Sequence, residues 1–134
     1  MPMEDALRLV VLDWDDTCCP SSWVSSSPER EVTETDLAIL ANVEEGISRL
    51  LHMIDASACA VVVITNADEE WVRFSCARFL PRIVPLLNQM RIVSARQYES
   101  LYPGRAVCWK AAAFTHGAKA FFATGGGRRE IISL

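Results

Sequence analysis

A fully apolar stretch in the middle of the chain, CAVVVI at residues 59–64, limits the possible folds more than any other feature. β-branched side chains fill four of its six positions, which favours a strand, and the lack of polar alternation favours a strand covered on both faces. A second run, LRLVVL at residues 7–12, has five apolar residues in six. Strands covered on both faces belong to parallel sheets with crossover helices, so these runs predict an α/β protein.

The segments that follow these runs have helical patterns. Thr33–Asp36 has the form of a capping box, and apolar residues recur behind it at steps near three and four as far as Ile54. After the second run, Asn66 followed by Glu69 predicts an N-cap and a second helix that stops at Pro81. The spacing therefore predicts a helix after each of the two strands.

The rest of the chain continues the alternation. MRIV at 90–93 predicts a third strand, AVCWKAAAFTHG at 106–117 predicts a helix with its last glycine as C-cap, and EIISL at 130–134 predicts a fourth strand. Residues 20–31, rich in serine and proline, predict a loop. We expect one domain over residues 1–134, a three-layer Rossmann-like parallel sheet with helices on both faces.

Composition narrows the classes of partner. The 134 residues carry a net charge of -4, which argues against nonspecific binding to nucleic acid or to anionic membranes, because both need a cationic surface. No segment reaches the roughly 18 apolar residues of a membrane span, and the first residues carry acids where a secretory signal carries bases. The five cysteines lack C-x-x-C spacing. We therefore expect a cytoplasmic protein with reduced thiols and no nucleic-acid or membrane partner.

Polar residues follow the predicted strands at the edge where a parallel sheet binds its ligands. Asp13 and Asp15 come at the end of the first strand, and side chains two apart on extended backbone share a side, so Trp14 points into the packing. Thr65 follows the second strand. Lys110 comes early in the helix after the third strand. We expect the two acids, the hydroxyl and the ammonium group to face one site.

Two carboxylates, a hydroxyl and an ammonium group form a coherent set for phosphoryl transfer. One carboxylate can attack phosphorus while its neighbour gives a proton to the leaving oxygen and later takes one from water. A divalent hard cation and a lysine offset the repulsion between carboxylates and phosphoryl oxygens. The alternatives for the same residues are a solvated strand end for the acids, a helix cap for Thr65 and an ordinary surface lysine for Lys110.

VVLDWDDT at residues 10–17 resembles the first motif of the haloacid dehalogenase-like (HAD-like) hydrolase superfamily, an apolar strand followed by D-x-D-x-T. VVVIT at 61–65 resembles the second motif, an apolar strand ending in Ser or Thr, and the region of Lys110 is similar to the third, a lysine near a helix start. The short insert between the first two motifs is similar to that of capless members. The resemblance implies a magnesium-dependent phosphatase that acts through an aspartyl phosphate on a phosphorylated small molecule or protein.

The resemblance also implies a role for each candidate residue. Asp13 would be the nucleophile, and Asp15 would be the general acid and base. Mg²⁺ would be bound by the Asp13 carboxylate and the Asp15 backbone carbonyl. Four further residues would contact the transferring phosphoryl group: Thr17, Thr65, Asn66 and Lys110.

Two features depart from the family pattern. The fourth motif is an acidic set of the G-D-x-x-x-D kind after a further strand that REIISL resembles, and no acid follows REIISL in the given sequence. We therefore expect a chain that ends before this motif, binds magnesium poorly and hydrolyses phosphate esters slowly or not at all. The fourth strand would also be an exposed edge, which invites self-association. Asp16 stands where many relatives have glycine and is expected to be a turn residue.

Two functions of other classes stay open. A receiver-type signalling domain also combines acids after its first strand with a Thr or Ser and a Lys, but it accepts phosphate on an aspartate that ends a later strand. No apolar strand in this sequence ends in such an aspartate. The other alternative is a non-catalytic binding protein that keeps the HAD-like fold.

Overall fold

The computed structural model describes residues 6, 8–25, 32–57, 59–123 and 129–134. The strands are β1 (Arg8–Asp13), β2 (Cys59–Thr65), β3 (Arg91–Ser94) and β4 (Glu130–Ser133). The α-helices are α1 (Ser21–Ser25), α2 (Glu34–Ala56), α3 (Glu69–Phe79), α4 (Val84–Leu87) and α5 (Ala106–Ala123). Two short 3₁₀ helices span Pro81–Ile83 and Ala95–Tyr98.

The four strands form one sheet in the order β3-β2-β1-β4, and every neighbouring pair is parallel. The predicted α/β class is confirmed, and the arrangement is consistent with a Rossmann-like fold. β3 lies one residue later than predicted, because Ser94 still pairs in register with Thr65 at the end of β2. β1 is central, with β2 on one side and β4 on the other. The carboxyl ends of all four strands therefore meet at one edge.

Alternate residues of β1 belong to two separate apolar clusters. Val10 and Leu12 pack in a cluster with residues of α2 and α3, whereas Leu9 and Val11 pack in a cluster with residues of α5. All four are buried, which explains why the run shows no polar alternation. Each residue of the β1 interior thus packs in one of two apolar clusters, one shared with α2 and α3 and the other with α5.

The start of α2 is the predicted capping box. The Thr33 hydroxyl accepts a hydrogen bond from the Asp36 N–H at 3.1 Å, and the Asp36 carboxylate accepts one from the Thr33 N–H at 3.0 Å. The two bonds satisfy donors that a helix start leaves unpaired. α2 then continues to Ala56. Within the described residues, no helix is long and apolar enough to cross a membrane.

The predicted N-cap of α3 is wrong. The cap residue is Asp68, whose carbonyl accepts hydrogen bonds from the first helical turn, and its side chain makes no cap bond. Asn66 lies before the helix because the Thr65 hydroxyl accepts a hydrogen bond from the Ala67 N–H at 3.0 Å. That bond closes a local turn, which delays the helix by two residues.

Two further boundaries differ from the predictions. α5 does not end at Gly117 but continues to Ala123, because Phe121 is fully buried in the α5 cluster and keeps the last turns packed. The predicted loop over 20–31 contains α1, and its residues 26–31 lie outside the described residues. At Gly117 the packing of Phe121 outweighs the tendency of glycine to end a helix. In the serine-rich segment, hydrogen bonds from Ser22 to Asp16 allow a short helix to form.

The buried hydrogen bond between Trp14 and Ser75 generates a stability prediction. The indole Nε1 of Trp14 donates to the Ser75 hydroxyl at 2.9 Å, and both side chains are buried. Ser75→Ala leaves a buried N–H without its partner, so we expect a loss of about 1–3 kcal/mol in the free energy of unfolding by urea denaturation. Ser100→Ala, at an exposed turn position, is the control and should change that free energy little. Equal losses for the two variants would contradict this.

Candidate active site

The carboxyl edge of the sheet gathers the polar residues that the sequence places after its strands. Asp13 is the last residue of β1, Thr65 the last of β2 and Ser94 the last of β3. The register pairs Asp13 with Ile64 and Thr65 with Ser94, so these positions are direct neighbours. The predicted convergence of Asp13 and Thr65 at one edge is therefore what the strand pairing produces.

Asp13 accepts hydrogen bonds on both carboxylate oxygens. The Lys110 ammonium contacts Oδ1, and the Thr17 hydroxyl donates to Oδ2 at 3.1 Å. Lys110 comes from the second turn of α5, 97 residues along the chain from Asp13. The side chains of Asp13 and Lys110 are about one-third exposed, at 33% and 36%, so a ligand can reach both.

An open depression of about 350 Å³ lies beside this ion pair. The carboxyl end of β4 forms part of its wall, since the Asp13 N–H donates to the Leu134 carbonyl at 3.1 Å and the Leu134 N–H donates to the Val11 carbonyl at 2.8 Å. Asn66 and Lys110 line it as well. The depression thus presents one carboxylate, one ammonium group and one amide to a bound molecule.

Three donors hold the Asp15 carboxylate. Trp71 Nε1 donates to Oδ1 at 2.8 Å, and the Ser21 hydroxyl donates to the same oxygen at 2.6 Å. The fully buried Thr65 hydroxyl donates to Oδ2 at 3.1 Å. The Thr65 hydroxyl has one proton, and in this arrangement that proton is used in the hydrogen bond to Asp15. Thr65 therefore fixes the position of Asp15, and its contact with a phosphoryl group stays a prediction.

Ser21 and Trp71 bond to Asp15, and the sequence pattern does not predict either contact. The periodicity of α3 predicts a packing role for Trp71, and the residue does pack against the α2–α3 cluster while its indole N–H reaches Asp15. Its place in the first turn of a helix that begins just after β2 is a signal that it can face the carboxyl edge. Ser21 begins α1, a helix that the sequence pattern does not predict.

Asp16 is a turn residue, as predicted. Its backbone has φ 58°, a left-handed conformation in which glycine has no steric cost. Its carboxylate accepts hydrogen bonds from the Ser22 hydroxyl and from the Ser22 N–H, the latter at 2.8 Å, and so caps α1. These two bonds, the hydroxyl first, hold the pKa of Asp16 below its ordinary value. Asp16 is therefore occupied by α1, whereas Asp13 and Asp15 face the depressions of the site.

The adjacent cysteines next to the acids do not provide a nucleophile. Cys18 and Cys19 are both buried and unbridged. Burial, and secondarily the charge of Asp13, raises the pKa of the Cys18 thiol to about 12, and burial also raises the pKa of Cys19. Because the thiolate is the reactive form, both thiols are inert near neutral pH. The part-exposed Asp13 carboxylate is therefore a better candidate for the nucleophile than either thiol.

A second open depression, of about 460 Å³, lies beside Asp15. Asp15, Asn66, Asp68, Trp71 and Arg96 all line it. Asn66 also lines the first depression, so the two depressions are neighbours on either side of this residue. The buried Oδ1 of Asn66 has no hydrogen-bond partner among the described residues.

The donor set can be tested against the expected Mg²⁺. In the described part of the chain, no group of three or more His, Cys, Asp or Glu side chains could hold a metal ion. Magnesium is nevertheless commonly held by one or two carboxylates together with substrate phosphates and water. Asp13 and Asp15 supply hard oxygen atoms, and Asn66 has a buried oxygen with no partner among the described residues. The residues therefore fit a Mg²⁺ ion that binds together with a phosphorylated substrate.

Comparisons with known proteins add no relative to this picture. No protein-family model matches the chain, and no curated protein or solved structure matches it either. The contacts of Asp13, Asp15 and Lys110 are therefore the basis for assigning a function.

Proposed function

We propose that the protein is a magnesium-dependent phosphatase of the HAD-like superfamily, with the capless, three-layer form of that fold, acting in the cytoplasm on a phosphorylated small molecule or protein. The observation that carries the proposal is the contact of Lys110 with Asp13 at the end of β1. A strand-end carboxylate paired with an ammonium group, next to a second carboxylate held by its own donors, supports nucleophilic phosphoryl transfer.

In the first step Asp13 attacks the phosphorus atom of a phosphate monoester. Oδ1 is bonded to the Lys110 ammonium, whereas Oδ2 accepts from the neutral Thr17 hydroxyl at 3.1 Å, so Oδ2 keeps the more nucleophilic lone pair. A bond forms between Oδ2 and phosphorus, the bond from phosphorus to the leaving oxygen breaks, and the phosphoryl group stays on Asp13. Lys110 offsets the negative charge on the phosphoryl oxygens.

Asp15 moves the protons in both steps. Its protonated form gives a proton to the leaving oxygen, and its ionised form takes one from the water that attacks the aspartyl phosphate, which restores Asp13. The donors Trp71, Ser21 and Thr65 fix the carboxylate against the sheet edge. A fixed proton donor within reach of the leaving oxygen lowers the barrier by positioning.

Mg²⁺, held by the Asp13 carboxylate and the Asp15 backbone carbonyl with oxygens of the substrate, would supply positive charge that draws the phosphoryl oxygens and the nucleophile together. Thr17 and Asn66 are the proposed further contacts of the phosphoryl group, and Thr65 is a third once its hydroxyl turns from Asp15. The open, shallow depressions leave room for an extended leaving group.

Asp13 at the end of β1 and Asp15 and Asp16 just after it give a matched set of variants. With an aryl phosphate and Mg²⁺, we expect Asp13→Asn to abolish turnover and Asp15→Asn to lower kcat by about 10²–10⁴-fold, because one removes the nucleophile and the other the acid and base. Asp16→Asn, at the capping position, is the control and should keep the activity. Turnover that survives Asp13→Asn, or neither turnover nor phosphoryl transfer to Asp13 in the unsubstituted chain, would refute the proposal.

Trp71 provides a second test, because a substitution can remove its N–H donor while keeping an aromatic ring. Trp71→Phe keeps an aromatic ring and removes the donor to Asp15, so we expect kcat to fall about tenfold with little change in KM and a shifted pH profile of kcat. Phe74→Leu, which removes the neighbouring ring and no hydrogen bond, is the control. A change in KM with kcat and its pH profile unaltered would show that Trp71 binds substrate and does not position Asp15.

A further inference from the structure

We infer that Arg96 forms a subsite for an anionic group on the leaving-group side of the substrate. The inference rests on the proposed function and extends it, because it names the class of substrate: phosphate monoesters whose leaving group carries a carboxylate or a second phosphate. Three features of the second depression support it, namely its position relative to Asp15, the way Arg96 is fixed and the weakness of its existing ion pair.

The position of the depression follows from the chemistry at Asp15. A phosphoryl group bound beside the Asp13–Lys110 pair occupies the first depression, and its leaving oxygen must face Asp15 to receive a proton. The atoms beyond that oxygen then extend past Asn66 into the second depression, which Asp15 and Arg96 both line. A leaving group of a few atoms therefore ends among Trp71, Asp68 and Arg96.

The backbone at Arg96 is tied to the same turn that carries Asn66. The Ser94 hydroxyl accepts a hydrogen bond from the Arg96 N–H at 3.3 Å and donates to the Ala67 carbonyl at 2.6 Å. Arg96 thus lies in a capped 3₁₀ helix whose start is bonded to the turn before α3. The base of its side chain is fixed relative to the site, which lowers the entropic cost of holding a ligand there.

The guanidinium group has weak protein partners. Arg96 Nη1 lies 3.9 Å from Asp68 Oδ2, beyond hydrogen-bond length, with side chains 51% and 68% exposed. An exposed ion pair of this kind contributes little, so a ligand carboxylate or phosphate can displace Asp68. The nearby Glu69 is already bonded to Arg73 at 2.9 Å. Arg96 is the cationic residue among those that line this depression, and a guanidinium group suits a bidentate anion.

The test measures binding to Asp13→Asn protein, in which no turnover occurs. Calorimetry with Mg²⁺ compares ethyl, propyl and butyl phosphate with the matched esters that end in a carboxylate and with those that end in a second phosphate. At the best chain length we expect the anionic ester to bind about tenfold more tightly than its alkyl match. The carboxylate and bisphosphate arms show which anion the subsite prefers.

Three variants in the same Asp13→Asn background assign the effect to Arg96. Arg96→Gln should bring the ratio of alkyl to anionic dissociation constants to about one. Asp68→Asn should raise the ratio, because it removes the competing carboxylate, and it costs no cap bond since the Asp68 side chain makes none. Arg78→Gln, at an exposed position near the end of α3 and outside the lining of the depression, is the matched control and should leave the ratio unchanged.

The outcomes separate this inference from the proposed phosphatase activity. A ratio near one at every chain length, absence of binding, or a ratio that Arg96→Gln does not alter would overturn the subsite. Aryl phosphate turnover that depends on Asp13, together with any of those results, would leave the phosphatase proposal standing. Selective binding that Arg96→Gln abolishes, with neither turnover nor phosphoryl transfer to Asp13 in the unsubstituted chain, would support an anion subsite and overturn the phosphatase.

Discussion

The contact between the Lys110 ammonium and the Asp13 carboxylate is the interaction on which the rest of the site depends. Three aspartates within four residues at a strand end repel one another unless positive charge is close by. Lys110 supplies that charge from the second turn of α5, which the sheet positions by packing Trp109 and Ala113 against residues of β1 and β2. The packing of α5 on β1 and β2 therefore determines that Asp13 is the aspartate that contacts the Lys110 ammonium.

Local contacts give the three aspartates separate positions. Asp13 faces Lys110, Asp15 is bonded to donors from α1, β2 and α3, and Asp16 turns back in a left-handed conformation to cap α1. Trp14 lies between the two site acids in sequence and points to the opposite side, where it bonds to Ser75. Successive side chains from Asp13 to Asp15 point to opposite sides of the extended backbone, so Trp14 enters the core while the two acids face the site. The left-handed conformation of Asp16 ends this alternation.

The sequence predicts the sheet and the placement of Asp13, Thr65 and Lys110 near its carboxyl edge, because both depend on period-two patterns and on strand ends. The apolar runs at β1 and β2 identify strands buried on both faces, and Asp13, Thr65 and Lys110 meet where parallel strands end. Trp71 and Ser21 escape prediction because their bonds to Asp15 span 56 and 6 residues and depend on where α3 and α1 begin. The predicted cap at Asn66 is wrong for the same reason, since the bond from the Ala67 N–H to the Thr65 hydroxyl moves the helix start so that Asp68 is the cap residue.

The central claim, that Asp13 carries the phosphoryl group, is tested most directly by locating an acyl phosphate. The protein is mixed with an aryl phosphate and Mg²⁺, quenched in acid, reduced with borodeuteride and digested, and the peptides are mapped by mass spectrometry. Reduction of an aspartyl phosphate converts the residue to deuterated homoserine. The account predicts this conversion at Asp13 and its loss in Asp13→Asn. Conversion at another aspartate, as a receiver-type domain would show, or at none, would contradict it.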